Sequence, residues 1–161
     1  MKTNKYDIRL DEDRLPILVR ECAVFYKQRM THDCPEAVAD WLRERLGMGS
    51  AAREVLAVMV YDTKGVLIGM STPFEGTVNM SPVSPRDIFQ LALALGGSYV
   101  IVAHNHPSGD ETPSGPDLAV MEKVRAAGEL MDVQLMDFII VGRGYWSAGQ
   151  EGLLERKEEK R

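Results

Sequence analysis

The chain has 161 residues, 45% apolar and 27% charged, with 19 Lys and Arg against 24 Asp and Glu for a formal net charge of −5. That is the length and composition of one ordinary folded domain, and no apolar run approaches the ~20 residues a membrane-spanning helix needs. An acid excess without a basic stripe argues against tight nonspecific DNA binding, which rests on many Lys/Arg–phosphate contacts.

Met1 to Asp7 lack an apolar signal core, and Cys22 and Cys34 form no Cys-x-x-Cys, so a cytoplasmic chain with free thiols is expected. Leu15, Leu18, Val19, Cys22, Phe25 and Tyr26 fall at helical spacing, which predicts a helix over Asp11–Met30 with Pro16 in its first turns. This gives an N-terminal helical extension over residues 1–34. Thr31 to Pro35 break that helix, and a second is expected over Pro35–Leu46, presenting Val38, Trp41, Leu42 and Leu46 and stopping at Gly47. The pattern then changes to strands. Glu54–Tyr61 is apolar nearly throughout, Asp62 to Gly65 is a turn, and Val66–Thr72 pairs back as a hairpin. Phe74 to Ser84 is an irregular connection with a short strand at Thr77–Met80. Ser84-Pro85-Arg86-Asp87 opens a helix to about Leu95: Ser84 can cap it, Pro85 suits its first position and Asp87 its first turn. After Gly96-Gly97 comes a buried strand, Ser98–Ala103, then a helix from Ser114 to about Met131 and strands Val133–Val141 and Tyr145–Ala148. Residues 151–161 form a charged tail. Alternating strands and helices imply an α/β fold, a mixed sheet with helices on both faces.

Chemistry concentrates between His104 and Asp117, at the end of the Ser98–Ala103 strand. Residues two apart on an extended segment point the same way, so His104 and His106 can grip one ion. Asp117 can return as a third ligand after a Pro/Gly-rich loop, leaving a fourth position for water, as in catalytic rather than structural zinc sites. Ser114 and Asp117 also read as helix N-cap and N3, a capping box with Asp in place of Glu. The cap and the metal compete for the Asp117 carboxylate.

The run His104-x-His106-Pro107, six residues, then Ser114-x-x-Asp117 resembles the JAMM motif of the JAB1/MPN+ zinc metallopeptidases. With Glu75-Gly76-Thr77 and Ser84-Pro85-Arg86-Asp87-Ile88-Phe89, the chain is similar to the RadC-like branch from about Pro35 to Ser147. The resemblance implies a RadC-like JAB/MPN domain over residues 35–150, without the helix-hairpin-helix region such proteins usually carry at the N-terminus. It also implies a cytidine-deaminase-like three-layer α/β/α sandwich. By the same resemblance one zinc ion sits on His104, His106 and Asp117, Glu54 at the start of the first core strand is the base, and Ser114 helps the metal stabilise an oxyanion. The implied activity is hydrolysis of a peptide or isopeptide amide in a protein or peptide substrate.

Glu75 is the rival base; Glu54 could also be a strand-end carboxylate or a partner of Arg53. Asp110 and Glu111 shape the His loop, Asn105 bonds back to the Phe74–Met80 loop, and His32 is a surface residue. Arg86 pairs with Asp87 or Asp110 or clamps a substrate carboxylate. The chain departs from the RadC-like pattern at Ser84, where many relatives have histidine, and at Gly115-Pro116, where relatives usually have Arg and a polar residue. A non-catalytic scaffold and a DNA-repair or mobile-element accessory factor remain as alternatives, although the link to DNA repair has no support in the charge. A zinc deaminase is set aside, because its His-x-Glu and Pro-Cys-x-x-Cys signatures are absent.

Overall fold

In the computed structural model, which describes residues 1–26, 34–76 and 83–154, the elements run β1 (Lys2–Leu10), β2 (Pro16–Phe25), α1 (Pro35–Leu46), β3 (Glu54–Tyr61), β4 (Leu67–Gly76), α2 (Pro85–Leu95), β5 (Tyr99–Asn105), α3 (Gly115–Met131), β6 (Gln134–Val141) and β7 (Tyr145–Ser147). The strands form one mixed sheet in the order β2-β1-β4-β3-β5-β6-β7. β5 runs parallel to β6 and antiparallel to β3. The expected strand at Thr77–Met80, His32 and the tail beyond residue 154 lie outside the described residues.

The central strands are buried on both faces, which is why they read as nearly unbroken apolar runs. Leu56, Val58 and Val60 of β3 and Val100 and Val102 of β5 join one core with Ile88 and Phe89 of α2 and Val120 and Val124 of α3. The alternate residues, Ala57, Met59, Tyr61, Ile101 and Ala103, join a second core with Val38, Trp41 and Leu42 of α1. The sheet therefore carries α1 on one face and α2 and α3 on the other. Each fully buried Leu, Ile, Val or Phe contributes ~1.5–3 kcal/mol. The helix punctuation follows the sequence: α1 stops at Gly47, whose φ of 66° suits glycine. The Ser84 backbone N–H donates to Asp87 at the start of α2 (3.1 Å).

The N-terminal extension is not helical. Of the helix expected over Asp11–Met30, residues 11–25 instead form a turn and β2, paired antiparallel with β1, and residues 27–30 lie outside the described residues. Asp11 makes the turn: its Oδ1 accepts from the Asp13 and Leu15 N–H groups (3.0 and 2.8 Å), and Arg14 takes φ 65°. The apolar residues over 15–25 fit a helical period, but β-branched Ile17, Val19 and Val24 also suit a strand, and pairing with β1 decides. The stripe expected to be buried is largely in solvent, with Leu15 60% and Phe25 61% exposed. Pro16 opens an edge strand, where its missing N–H costs no ladder bond.

A second difference lies in β4, which runs on to Gly76 and takes Phe74 and Glu75 out of the expected irregular connection. Its register sets Gly76 opposite Glu54 and Glu75 opposite Val55.

Candidate metal centre

β5 carries its strand geometry through His104 and Asn105. His104 is paired across β3 with Leu56, so its side chain lies on the face covered by α2 and α3. It is fully buried, with its ring edge-on to Phe138 at 5.6 Å between centroids. His106 follows, its N–H bonded to the Val141 carbonyl at the end of β6 (3.0 Å). α3 starts on the same face and brings in Asp117 at 2% exposure.

The donor atoms converge. His104 Nε2 and His106 Nε2 are 3.1 Å apart, and Asp117 Oδ1 and Oδ2 lie 3.3 and 3.4 Å from them respectively. Tetrahedral bonds of about 2.0–2.1 Å to nitrogen and oxygen place ligand atoms about 3.3–3.5 Å apart, so the three side chains fit one small divalent ion. Outer contacts orient His106 and Asp117, as metal sites require, whereas the buried Nδ1 of His104 has no hydrogen-bond partner among the described residues. His106 Nδ1 lies 2.6 Å from the Asp110 carbonyl, which leaves Nε2 free to ligate when Nδ1 carries the proton.

Asp117 does not choose between cap and cluster. Its Oδ2 accepts from the Ser114 N–H (2.7 Å) and hydroxyl (2.5 Å), while its own N–H donates to Ser114 Oγ (3.3 Å). Oδ1 is left facing His104. Burial alone would raise this carboxyl, but the bonds from His104 and Ser114 outweigh it and hold Asp117 below the ordinary carboxylate range.

Glu54 opens β3 two residues before Leu56, so it shares the face of Leu56 and His104. It is buried, and among the described residues its Oε2 has no hydrogen-bond partner. An uncompensated buried carboxylate oxygen is costly, and a site that supplies a proton donor would satisfy it. Glu75 is exposed and, as the partner of Val55, sits on the opposite face.

Residues 77–80 of the loop expected to receive Asn105 lie outside the described residues, and among those described Asn105 bonds the start of β3. Its amide oxygen accepts from Val55 N–H (2.8 Å) and its NH₂ donates to the Arg53 carbonyl (3.1 Å), so it clamps the start of β3 on both sides of Glu54. Asn105→Ala leaves two backbone groups unpaired, and denaturant unfolding is expected to show a loss of about 1–3 kcal/mol with unchanged metal content.

Sequence reasoning placed strands on both sides of the β6–β7 turn but missed its packing against the His loop, whose only signal was two glycines around Arg143. The Arg143 N–H donates to the Gly109 carbonyl (2.8 Å) and Gly144 N–H to Glu111 Oε2 (3.4 Å). Arg43 of α1 donates to the Gly144 carbonyl. A Cβ on Gly142 would stand 2.7 Å from the Gly109 oxygen and 2.8 Å from the Glu111 nitrogen, so only glycine lets the turn lie this close to the His loop. Asp110 and Glu111 both hold the loop, the former accepting from Thr112 N–H (2.9 Å). Arg86 makes no ion pair with Asp87 or Asp110.

A family model described as the RadC-like JAB domain matches residues 32–153. The chain is 47% identical to a UPF0758 protein of Thermotoga maritima over 103 residues, 63% of this chain and 46% of that one. It is 40% identical to a UPF0758 protein of Methylibium petroleiphilum over 141 residues, 87% and 63% of the two chains. A Clostridium botulinum UPF0758 protein is 39% identical over 108 residues, 66% of this chain and 47% of its own length. The chain thus spans about half the length of the curated relatives it matches, and their names state no activity.

Proposed function

The chain belongs to the RadC-like JAB domain family, and on that premise we propose that it is a zinc-dependent hydrolase cleaving an amide bond, peptide or isopeptide, in a protein or peptide substrate. The observation that carries this reading is the convergence of His104, His106 and Asp117 at 3.1–3.4 Å, with Glu54 buried on the same face. The cytidine-deaminase-like form of the sandwich and a cytoplasmic setting belong to the same reading; no helix among the described residues is long and apolar enough to cross a membrane.

Zinc held by these three residues would lower the pKa of a bound water to about 7 and polarise the scissile carbonyl. Glu54 accepts the proton of the attacking water and returns it to the nitrogen of the leaving amine, a role worth ~10²–10⁴ in rate. Ser114, whose hydroxyl now donates to Asp117 Oδ2, turns to the developing oxyanion once that oxygen is engaged elsewhere. Asn105 holds the start of β3, and with it Glu54, against the His strand.

Metal content tests the proposal. Protein purified without a histidine tag is expected to carry about one zinc per chain by mass spectrometry, and His104→Ala to carry none. Peptide and isopeptide libraries then identify the substrate. A wild type that neither holds zinc nor takes it up at micromolar concentration would leave a non-catalytic scaffold as the better account.

A further inference from the structure

Arg143 is exposed at the tip of the β6–β7 turn. Its side chain runs along the His loop: a Cβ built on Gly109 would be 3.2 Å from its Cγ and 3.3 Å from its Nε. The turn that presents it is braced from three directions, by Gly109 through the Arg143 N–H, by Glu111 through the Gly144 N–H, and by Arg43 through the Gly144 carbonyl. The strand before it ends at Val141, which accepts the His106 N–H. The guanidinium is thus carried by backbone bonded directly to a candidate ligand.

A rigidly presented arginine beside acidic residues would normally be neutralised by them. Asp110 and Glu111 follow Gly109 directly, yet among the described residues Arg143 makes no ion pair. Asp110 Oδ1 accepts from Thr112 N–H and Glu111 Oε2 from Gly144 N–H. On the other flank of β5, exposed Arg53 precedes Glu54 and also makes no ion pair among the described residues. In a chain of net charge −5, Arg143 and Arg53 thus stand at this end of the sheet without an ion pair among the described residues. Guanidinium matches a carboxylate with a planar fork of donors.

We infer that Arg143 is a specificity anchor that binds a carboxylate of the substrate next to the scissile amide, so that the site selects acidic peptides. This rests on the hydrolase reading for its purpose. The carboxylate can come from an Asp or Glu side chain or from a peptide C-terminus. Because the turn is already fixed, binding does not have to order it. An exposed ion pair gives a modest, salt-sensitive gain, and reversing the charge turns attraction into repulsion, so the expected effect is about fivefold to tenfold in affinity.

The test uses the full chain carrying Glu54→Gln, to prevent turnover, with and without Arg143→Glu or Arg143→Lys. Fluorescence anisotropy follows four labelled probes: a Glu-rich peptide with an amidated C-terminus, a neutral peptide with a free C-terminus, the same neutral peptide amidated, and a single-stranded oligonucleotide. One or both carboxylate-bearing peptides should bind more tightly than the amidated neutral one, and which of them does identifies the source. Arg143→Glu should abolish that preference and Arg143→Lys restore part of it, with zinc content the same in all variants. No preference for carboxylate, a preference unmoved by Arg143→Glu, or an effect confined to the oligonucleotide overturns the inference. Zinc content, read separately, reports on the hydrolase reading.

Discussion

Glu54→Gln should keep its metal and lose ~10²–10⁴ in turnover. The substitution retains the size of a side chain that is 6% exposed, one of whose oxygens has no hydrogen-bond partner among the described residues, so the fold has little reason to change. Glu54 is not among the three converging donors, and zinc stoichiometry should match the wild type. Glu75→Gln is the control: Glu75 is exposed and opposite Val55, and its loss should leave turnover within a factor of about two, the scale of ordinary surface substitutions. Both variants are compared with the wild type on one peptide, with metal content measured on each. An active Glu54→Gln beside an inactive Glu75→Gln would reverse the assignment of the base.

Phe138→Ala should be the most destabilising single change near the site, at about 3–5 kcal/mol. Phe138 is fully buried in the core shared by α2 and α3, where truncation leaves a cavity that the surrounding strands cannot close. The effect should reach the metal centre, because its ring lies edge-on to His104 at 5.6 Å and removing it frees the imidazole to rotate. Urea unfolding of the metal-free protein reads the stability loss, and zinc titration reads the accompanying fall in affinity. Phe138→Leu fills most of the volume and should cost much less. An unfolding midpoint unchanged in Phe138→Ala would refute the packing argument.

Much of the fold was legible because its punctuation is local. Gly47, Ser84-Pro85, Gly96-Gly97 and Ser114-Gly115-Pro116-Asp117 each mark a helix end that the structure keeps. The apolar runs of β3, β5 and β6 could only be strands buried on both faces, given their length and β-branched content. The candidate ligands were legible for the same reason, since one ends a strand, one stands just past it and the third lies in the first turn of the next helix. What stayed hidden depends on segments distant in sequence. Residues 15–25 satisfied two periods at once, and only β1 across the turn settles which holds. Asn105 meets Arg53 and Val55, some fifty positions earlier. The β6–β7 turn acquires its place from a loop more than thirty residues before it and from Arg43 on α1.

The divided carboxylate of Asp117 bears on when an ion can be loaded. One oxygen is tied to Ser114 by the helix cap and the other already faces His104, while His106 is steadied by Asp110 and Val141. The entropy of assembling the donors is therefore spent when the chain folds. In a zinc finger the ion itself drives folding, and a chelator unfolds the domain. Here a chelator could strip the ion and leave the shape behind, ready to refill. The metal carried would then follow the ions in supply and the affinity order of N/O donors, and it could change over the lifetime of a single molecule.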